Sequence, residues 1–483
     1  MADDDLLFTS AARAAAMIRT GKLSPVTLMT AVLDAARRVQ PALNPFVTLL
    51  EESATAGARA AEQAVRDGRP LGPLHGVPVS IKDQVDVAGV VTTHGSAIFA
   101  DNVAATDDVV VARLRAAGAI VFAKTTLPEF GHKGITDGPA FGTTRNPWDP
   151  TRTTGGSSGG AAAAVASGIG PLALGTDGAG SVRIPAACCG IVGLKPTLGS
   201  IPWQQAGDAF GNYTYAGPMA RSVTDAALMR AAMIGPDPAD PWTHGRAAEP
   251  PLSPGLVGRD LHGLRIGVIE RTANPRVQRE MADNARISLQ VLTELGAEAE
   301  MAGEDIDWIE QPGRVMYQAN YAVAMRRHLP QWSDRMDPSL LAFMERGDGF
   351  SLAEFREGQF ARTRLFRAIQ ALFTRFDLLV MPTLSRTALP AGFDAAHDQV
   401  EIDGQPCGIT RQGWSSYVYS FNLTGHPALT LPSGFDAAGL PTAVQLVGRW
   451  GADLDLLRLG AILEEARPWA AKRPQLPLAA AGA

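Results

Sequence analysis

Cysteine is nearly absent from this 483-residue chain: there are three, with Cys188 and Cys189 adjacent and Cys407 remote. An odd count with no C-x-x-C spacing supplies neither a disulfide framework nor a zinc site, so buried thiols in a reducing compartment are expected. Histidine is also scarce, at eight residues, and no H-E-x-x-H occurs, so neither a metal centre nor a cofactor is expected. Long apolar runs are missing. The alanine-rich stretch 159–168 is glycine-interrupted and far short of the ~20 residues that span a bilayer. The opening Met1-Ala2-Asp3-Asp4-Asp5 is acidic where a secretory leader is basic. Charge of one sign is nowhere concentrated, and the formal net charge of −6 is modest. These absences exclude nucleic acid and membrane as partners and leave a cytoplasmic protein as the expectation.

What the chain has in quantity is small and apolar: 46% hydrophobic residues and 50 glycines. Length alone suggests two or three domains. The pattern argues for one. Residues 8–39 read as helices broken near Gly21 and Ser24-Pro25, and Thr106-Asp107-Asp108 caps a helix running to Ala117. Strand signals at 77–81, 119–123, 171–174, 264–269, 297–301, 378–381, 428–431 and 443–447 alternate with helical ones at 275–295 and 454–465. Such alternation predicts a single α/β domain over 1–483, with a twisted, mixed but largely parallel sheet covered by helices on both faces. The stretch 308–375 carries few strand signals and reads as a helical insertion. Segment 235–260, rich in proline and glycine, reads as a surface excursion, and 476–483 as a frayed end.

The chemistry gathers around two glycine-wrapped serines and one lysine. Lys82 ends a buried-strand signal; taken alone it is a strand-end lysine, and to act as a base it needs a depressed pKa, which burial supplies. Ser157 in Gly155-Gly156-Ser157-Ser158-Gly159-Gly160 also fits G-x-S-x-G, but a loop-like 149–154 precedes it where that motif needs a strand. Ser181 has the better context. The run 171–174 feeds Gly175-Thr176-Asp177-Gly178-Ala179-Gly180-Ser181, a glycine loop whose N–H groups can nest an anion, with Arg183 placed to pair with Asp177.

These stretches resemble the amidase signature family. The resemblance runs from Gly76 through Lys195-Pro196-Thr197, including Arg145-Asn146-Pro147-Trp148-Asp149 and Gly190-Ile191-Val192-Gly193-Leu194, with a weaker echo in Phe421-Asn422-Leu423-Thr424-Gly425. It is densest over about 70–200, and free-standing bacterial amidases of the 6-aminohexanoate cyclic-dimer hydrolase type are especially similar. The resemblance implies a Ser–cis-Ser–Lys triad: Ser181 as nucleophile, Ser157 after a cis peptide as relay, and Lys82 as base. It implies an oxyanion hole of the Gly178, Ala179, Gly180 and Ser181 amides, supported by Thr176, Ser158, Asp177 and Arg183. Three departures stand out: Ala179 replaces a frequent glycine, Thr126 an asparagine and Ala443 a glycine. An alanine at a position of positive φ would strain the loop.

The implied activity is hydrolysis of small linear or cyclic amides, and by extension esters or carbamates, by a chain acting alone or as a homodimer. Phe130, Gly131 and His132 are expected to border the acyl pocket, and Trp203, Tyr213, Tyr215 and Trp414 to supply aromatic walls. Three other readings are carried forward. A glutaminase-type amidotransferase subunit would need a partner and an arginine such as Arg326, Arg327 or Arg362 to grip glutamine. A non-catalytic scaffold would keep the motifs without the reaction. A Ser–His–Asp hydrolase built on Ser157 would recruit His244, His262, His328, His397 or His426.

Overall fold

The computed structural model describes residues 3–245 and 260–476. Most of segment 235–260 and nearly all of 476–483 fall outside the described residues.

Eleven strands form one sheet in the order β1-β3-β2-β4-β6-β5-β12-β13-β9-β7-β8. They are β1 (Phe46–Leu49), β2 (Pro78–Lys82), β3 (Ile120–Thr125), β4 (Leu172–Asp177), β5 (Val192–Lys195), β6 (Tyr215–Ala220), β7 (Arg265–Val268), β8 (Glu298–Met301), β9 (Leu378–Pro382), β12 (Ala428–Phe435) and β13 (Pro441–Gly448). A separate short hairpin pairs β10 (Glu401–Ile402) with β11 (Gln405–Pro406).

Alternation along the strands shows why both faces are covered. Ile81, Leu174, Leu431, Val444 and Leu446 enter one apolar cluster with helices Val109–Ala116, Val223–Met233, Arg279–Glu294 and Asp453–Ala466. Their neighbours Ala173, Ala428 and Val447 enter clusters with helices Gly159–Ala166, Arg183–Cys189 and Leu352–Arg375. A strand presents successive side chains to opposite faces, so central strands such as β2, β4 and β13 are buried on both.

The sheet is mixed and helix-covered as the pattern predicts, but its parallel pairings are confined to two blocks. β2 runs parallel to β3 and β4, and β7 to β8 and β9. The pairings between these blocks, β4–β6–β5–β12–β13–β9, are antiparallel, which corrects the largely parallel expectation. For one of these pairings the reason is local. β12 and β13 are joined by a short turn at 436–440, too short for the crossover that parallel neighbours need.

Helix starts follow their capping residues. Ser24 accepts from the amides of Val26 and Thr27 to open Pro25–Leu43, and Asp108 accepts from Val110 to open Val109–Ala116. The three cysteines are free and buried. Among the described residues no helix is long and apolar enough to cross a membrane. Between β8 and β9 the chain is helical, with Glu310–Met325, Pro338–Asp348 and Leu352–Arg375 as its main elements.

Candidate active site

Because Ile81 faces the first cluster, Lys82 at the end of β2 faces the other way, into the protein above β4. Its side chain is wholly buried, and Nζ donates to Ser157 Oγ at 2.7 Å and Thr176 Oγ1 at 2.8 Å. Burial lowers the Lys82 pKa to about 7, opposed by the charge of Asp177. The uncharged amine is therefore accessible near neutrality, as a base requires.

Ser157 follows a cis Gly156–Ser157 peptide. The glycines around it are demanded by close approach. A Cβ on Gly156 would sit 2.8 Å from the Ile135 nitrogen, and one on Gly159 would sit 2.2 Å from Thr136 Oγ1. Ser158 ties this loop to β4: its Oγ donates to the Thr176 carbonyl at 3.1 Å and accepts from the Thr176 amide at 3.2 Å. Thr176 in turn donates to Gln84 Oε1 at 3.0 Å.

The loop after β4 is organised by Asp177. Its carboxylate accepts from the Gly180 amide (2.6 Å), the Val182 amide (3.2 Å), Arg183 Nε and Nη2 (2.9 and 3.1 Å), and Asn422 Nδ2 (2.8 Å). The buried pair with Arg183, together with these donors, holds the Asp177 pKa down to about 2 against the cost of burial. Positive φ in this loop falls at Gly180 alone (φ 106°), so Ala179 takes ordinary backbone geometry and the strain anticipated there does not arise.

A Cβ on Gly180 would lie 2.3 Å from Val418 Cγ2. Gly180→Ala is therefore expected to cost roughly 2–4 kcal/mol, from φ strain plus overpacking. Urea unfolding of the variant checks this, and an unchanged midpoint would contradict it.

The expected oxyanion donors divide. The Gly180 amide is already spent on Asp177, which removes it from the set. The amides of Gly178, Ala179 and Ser181 make no hydrogen bond to any other described residue, and all three residues border the same cavity. That cavity, about 170 Å3, also contains Ser157 and Thr176. Ser181 is the most exposed of the three key residues at 8%, against 2% for Ser157 and 0% for Lys82. No direct hydrogen bond joins the two serine hydroxyls among the described residues.

Phe130, Gly131, His132 and Tyr213 border the cavity. His132 is fixed by Nδ1 against the Glu129 carbonyl and Nε2 against Ser339 Oγ, each at 2.8 Å, and burial pushes its pKa down to about 4. It is neutral at pH 7. Three expected walls are elsewhere. Tyr215 lies under Lys195 and donates to the Asn422 carbonyl, while Trp414 is fully buried and donates to the Arg386 carbonyl. Trp203 borders a neighbouring cavity that shares Gln84, Phe130 and Tyr213 with the first.

The wall that sequence reading missed comes from Arg314, Tyr317, Gln318 and Tyr321. Their i, i+3, i+4, i+7 spacing places them on one face of helix Glu310–Met325, and that spacing was the available signal. Arg411 completes the wall, stacked 4.5 Å from the Tyr317 ring centroid.

The arginines and histidines named for the alternative readings lie away from the cavity. Arg362 is committed to the carbonyls of Leu423, Gly211 and Asn212, Arg326 pairs with Asp348, and neither they nor Arg327 border the cavity. None of His244, His262, His328, His397 and His426 borders it either, so Ser157 has no such histidine for a Ser–His–Asp arrangement.

A buried lysine joined to a serine, next to an anion nest, defines a class of hydrolase, and comparison with known proteins identifies it. The family described as Amidase matches residues 27–457. An acylamidase of Rhodococcus erythropolis is 36% identical over 98% of both chains. A glutamyl-tRNA(Gln) amidotransferase subunit of Chloroflexus aurantiacus is 34% identical over 97% of this chain and 98% of its own. Among solved structures, a bacterial aryl acylamidase of the amidase signature enzymes superposes with a TM-score of 0.89 at 30% identity, covering 96% of this chain and 97% of that one. A 6-aminohexanoate cyclic dimer hydrolase complexed with substrate gives 0.86 at 30% identity, covering 97% and 99%. The chain belongs to the amidase signature family, whose enzymes hydrolyse amides.

Proposed function

We propose that this chain is an acylamidase-type serine hydrolase in which Ser181 attacks, Ser157 relays the proton and Lys82 is the base. One observation carries the reading: a lysine amine with a pKa of about 7 is buried against Ser157 Oγ, at the edge of the cavity that holds Ser181.

In the first step Ser181 Oγ bonds to the substrate carbonyl carbon. The Ser181 proton passes to Ser157 and the Ser157 proton to neutral Lys82. The carbonyl electron pair moves onto oxygen, where the amides of Gly178, Ala179 and Ser181 receive it; each such donor is worth roughly 3 kcal/mol. Collapse breaks the C–N bond as Lys82 returns the proton, through Ser157, to the leaving nitrogen. Water then attacks the Ser181 ester by the same route and releases the acid. Thr176, held by Ser158 and Gln84, gives Lys82 its second hydrogen-bond partner and so orients it.

The substrates are small aryl or alkyl amides. Cyclic amides, esters and carbamates fall within the same attack; a carbamate would leave a carbonate ester that water resolves to carbon dioxide and alcohol.

A serine-directed fluorophosphonate, mapped by mass spectrometry, tests the assignment. The adduct is expected on Ser181, formed more slowly in Ser157→Ala and Lys82→Ala. An adduct on Ser157, or full anilide hydrolysis by Ser181→Ala, overturns it.

A further inference from the structure

The cavity at Ser181 has an unbalanced wall. It contains Lys133, Arg314, Arg346 and Arg411 and, among the described residues, no aspartate or glutamate. Neighbouring carboxylates neutralise two of these cations from behind. Lys133 is held by Asp137 and Asp337, and Arg314 by Glu310 at 3.5 Å. The side chains of Arg346 and Arg411 have no ion pair or hydrogen bond within the described structure. Arg346 is exposed at the rim.

Arg411 is half-buried, its guanidinium lying 4.5 Å from the Tyr317 ring centroid and 5.5 Å from that of Tyr419. Its Nη1 is buried without an acceptor. Stacking holds the plane of the guanidinium but satisfies none of its N–H donors. The same Tyr317 donates its hydroxyl to the Gly178 carbonyl at 2.5 Å, so Arg411 stands one side chain away from the amides of the nest.

We infer that this cavity selects amides that carry a carboxylate, bound by Arg411 with Arg346 at the entrance. The inference rests on the hydrolase reading for the identity of the cavity as the substrate site, and it names the substrate class. A planar guanidinium with free donors matches a carboxylate in two parallel hydrogen bonds, and its partial burial strengthens the pairing. The positive rim raises the local concentration of anionic substrate before docking.

Binding tests this without turnover. Calorimetry on the Ser181→Ala protein compares adipic acid monoanilide with hexananilide, and 4-acetamidobenzoate with acetanilide; the two pairs place the carboxylate on the acyl and the amine side. At least one anion is expected to bind about tenfold or more tightly than its neutral partner. That preference should shrink in high salt and fall towards parity when Arg411→Gln and Arg346→Gln are added. Arg411→Lys, which keeps the charge, should retain part of it, and the exposed Arg346→Gln alone carries no folding risk. Parity in both pairs for the Ser181→Ala protein, or a preference that survives loss of both arginines, overturns the inference. Turnover of the same four amides by the wild-type chain tests the hydrolase reading separately: hydrolysis of none of them sinks that reading, whereas hydrolysis with parity in binding sinks this inference alone.

Discussion

Lys82→Met is expected to lower kcat/KM for a neutral anilide by roughly 10^3-fold or more while leaving a folded protein. Methionine keeps the volume of the lysine stem but has no proton to hold, so the variant isolates the base from the packing. In the parent, kcat/KM should rise with pH about a midpoint near 7, as Lys82 gives up its proton. The same group has a stability signature. Its folded pKa of about 7 lies below the ordinary lysine value of 10.5. Between those values the unfolded chain holds a proton that the folded chain lacks, so this group makes stability rise with pH from 7 to 10.5. Lys82→Met removes that slope and should be no less stable than the parent at pH 7. Paired pH–rate and pH–denaturation series check both. A parent rate flat between pH 6 and 8 would count against Lys82 as the base.

Asp177→Ala should be the most damaging substitution for folding among the residues around the site. Arg183 is fully buried, and removing its carboxylate leaves the guanidinium with only the side-chain oxygens of Gln445 and Asn422 as partners. Breaking a buried pair in this way costs about 3–5 kcal/mol. The Gly180 and Val182 amides lose their acceptor at the same time, so the nest should open and amide hydrolysis fall with it. Thermal and urea unfolding read the first effect, and anilide turnover the second. The pH dependence has a definite sign. The folded pKa is lowered from 3.8 to about 2, so the stabilisation is present above about 4 and is lost as pH falls through about 2. A variant with parental unfolding temperature and acid stability would show that the pair is not what holds this loop.

Lys82, Ser157 and Ser181 were picked out through the resemblance to the amidase signature family, since Lys82 alone reads as a strand-end lysine, and the fold brings Lys82 Nζ within 2.7 Å of Ser157 Oγ. Gly156 and Gly159 are required by the close approach of the 134–136 segment, and Asp177 orders its loop with donors three to six residues away. The binding wall was not legible in the same way. Arg411 and Tyr317 are nearly a hundred residues apart and meet only after helix Glu310–Met325 has docked. Trp414 and Tyr215 were misplaced for a related reason: an aromatic ring in an apolar stretch signals burial but not which side of the strand or helix it will face. The concern over Ala179 was misdirected by a single position, since the left-handed residue is its neighbour Gly180. Eight of the eleven sheet strands were readable from apolar runs and β1, β5 and β6 were not, whereas pairing direction depends on connections such as 436–440, which those runs do not encode.

The two walls of the cavity come from separate stretches of chain. Ser157, Thr176 and Ser181, with the buried Lys82 behind them, lie within one continuous third of the protein. Arg314, Tyr317, Tyr321, Arg346 and Arg411 arrive from the helices between β8 and β9 and from a segment beyond them. Chemistry and selectivity can thus drift independently. A library confined to the later helices would alter which molecules are admitted while leaving the proton path untouched, and that makes this region the natural starting point for redirecting the enzyme to new feedstocks.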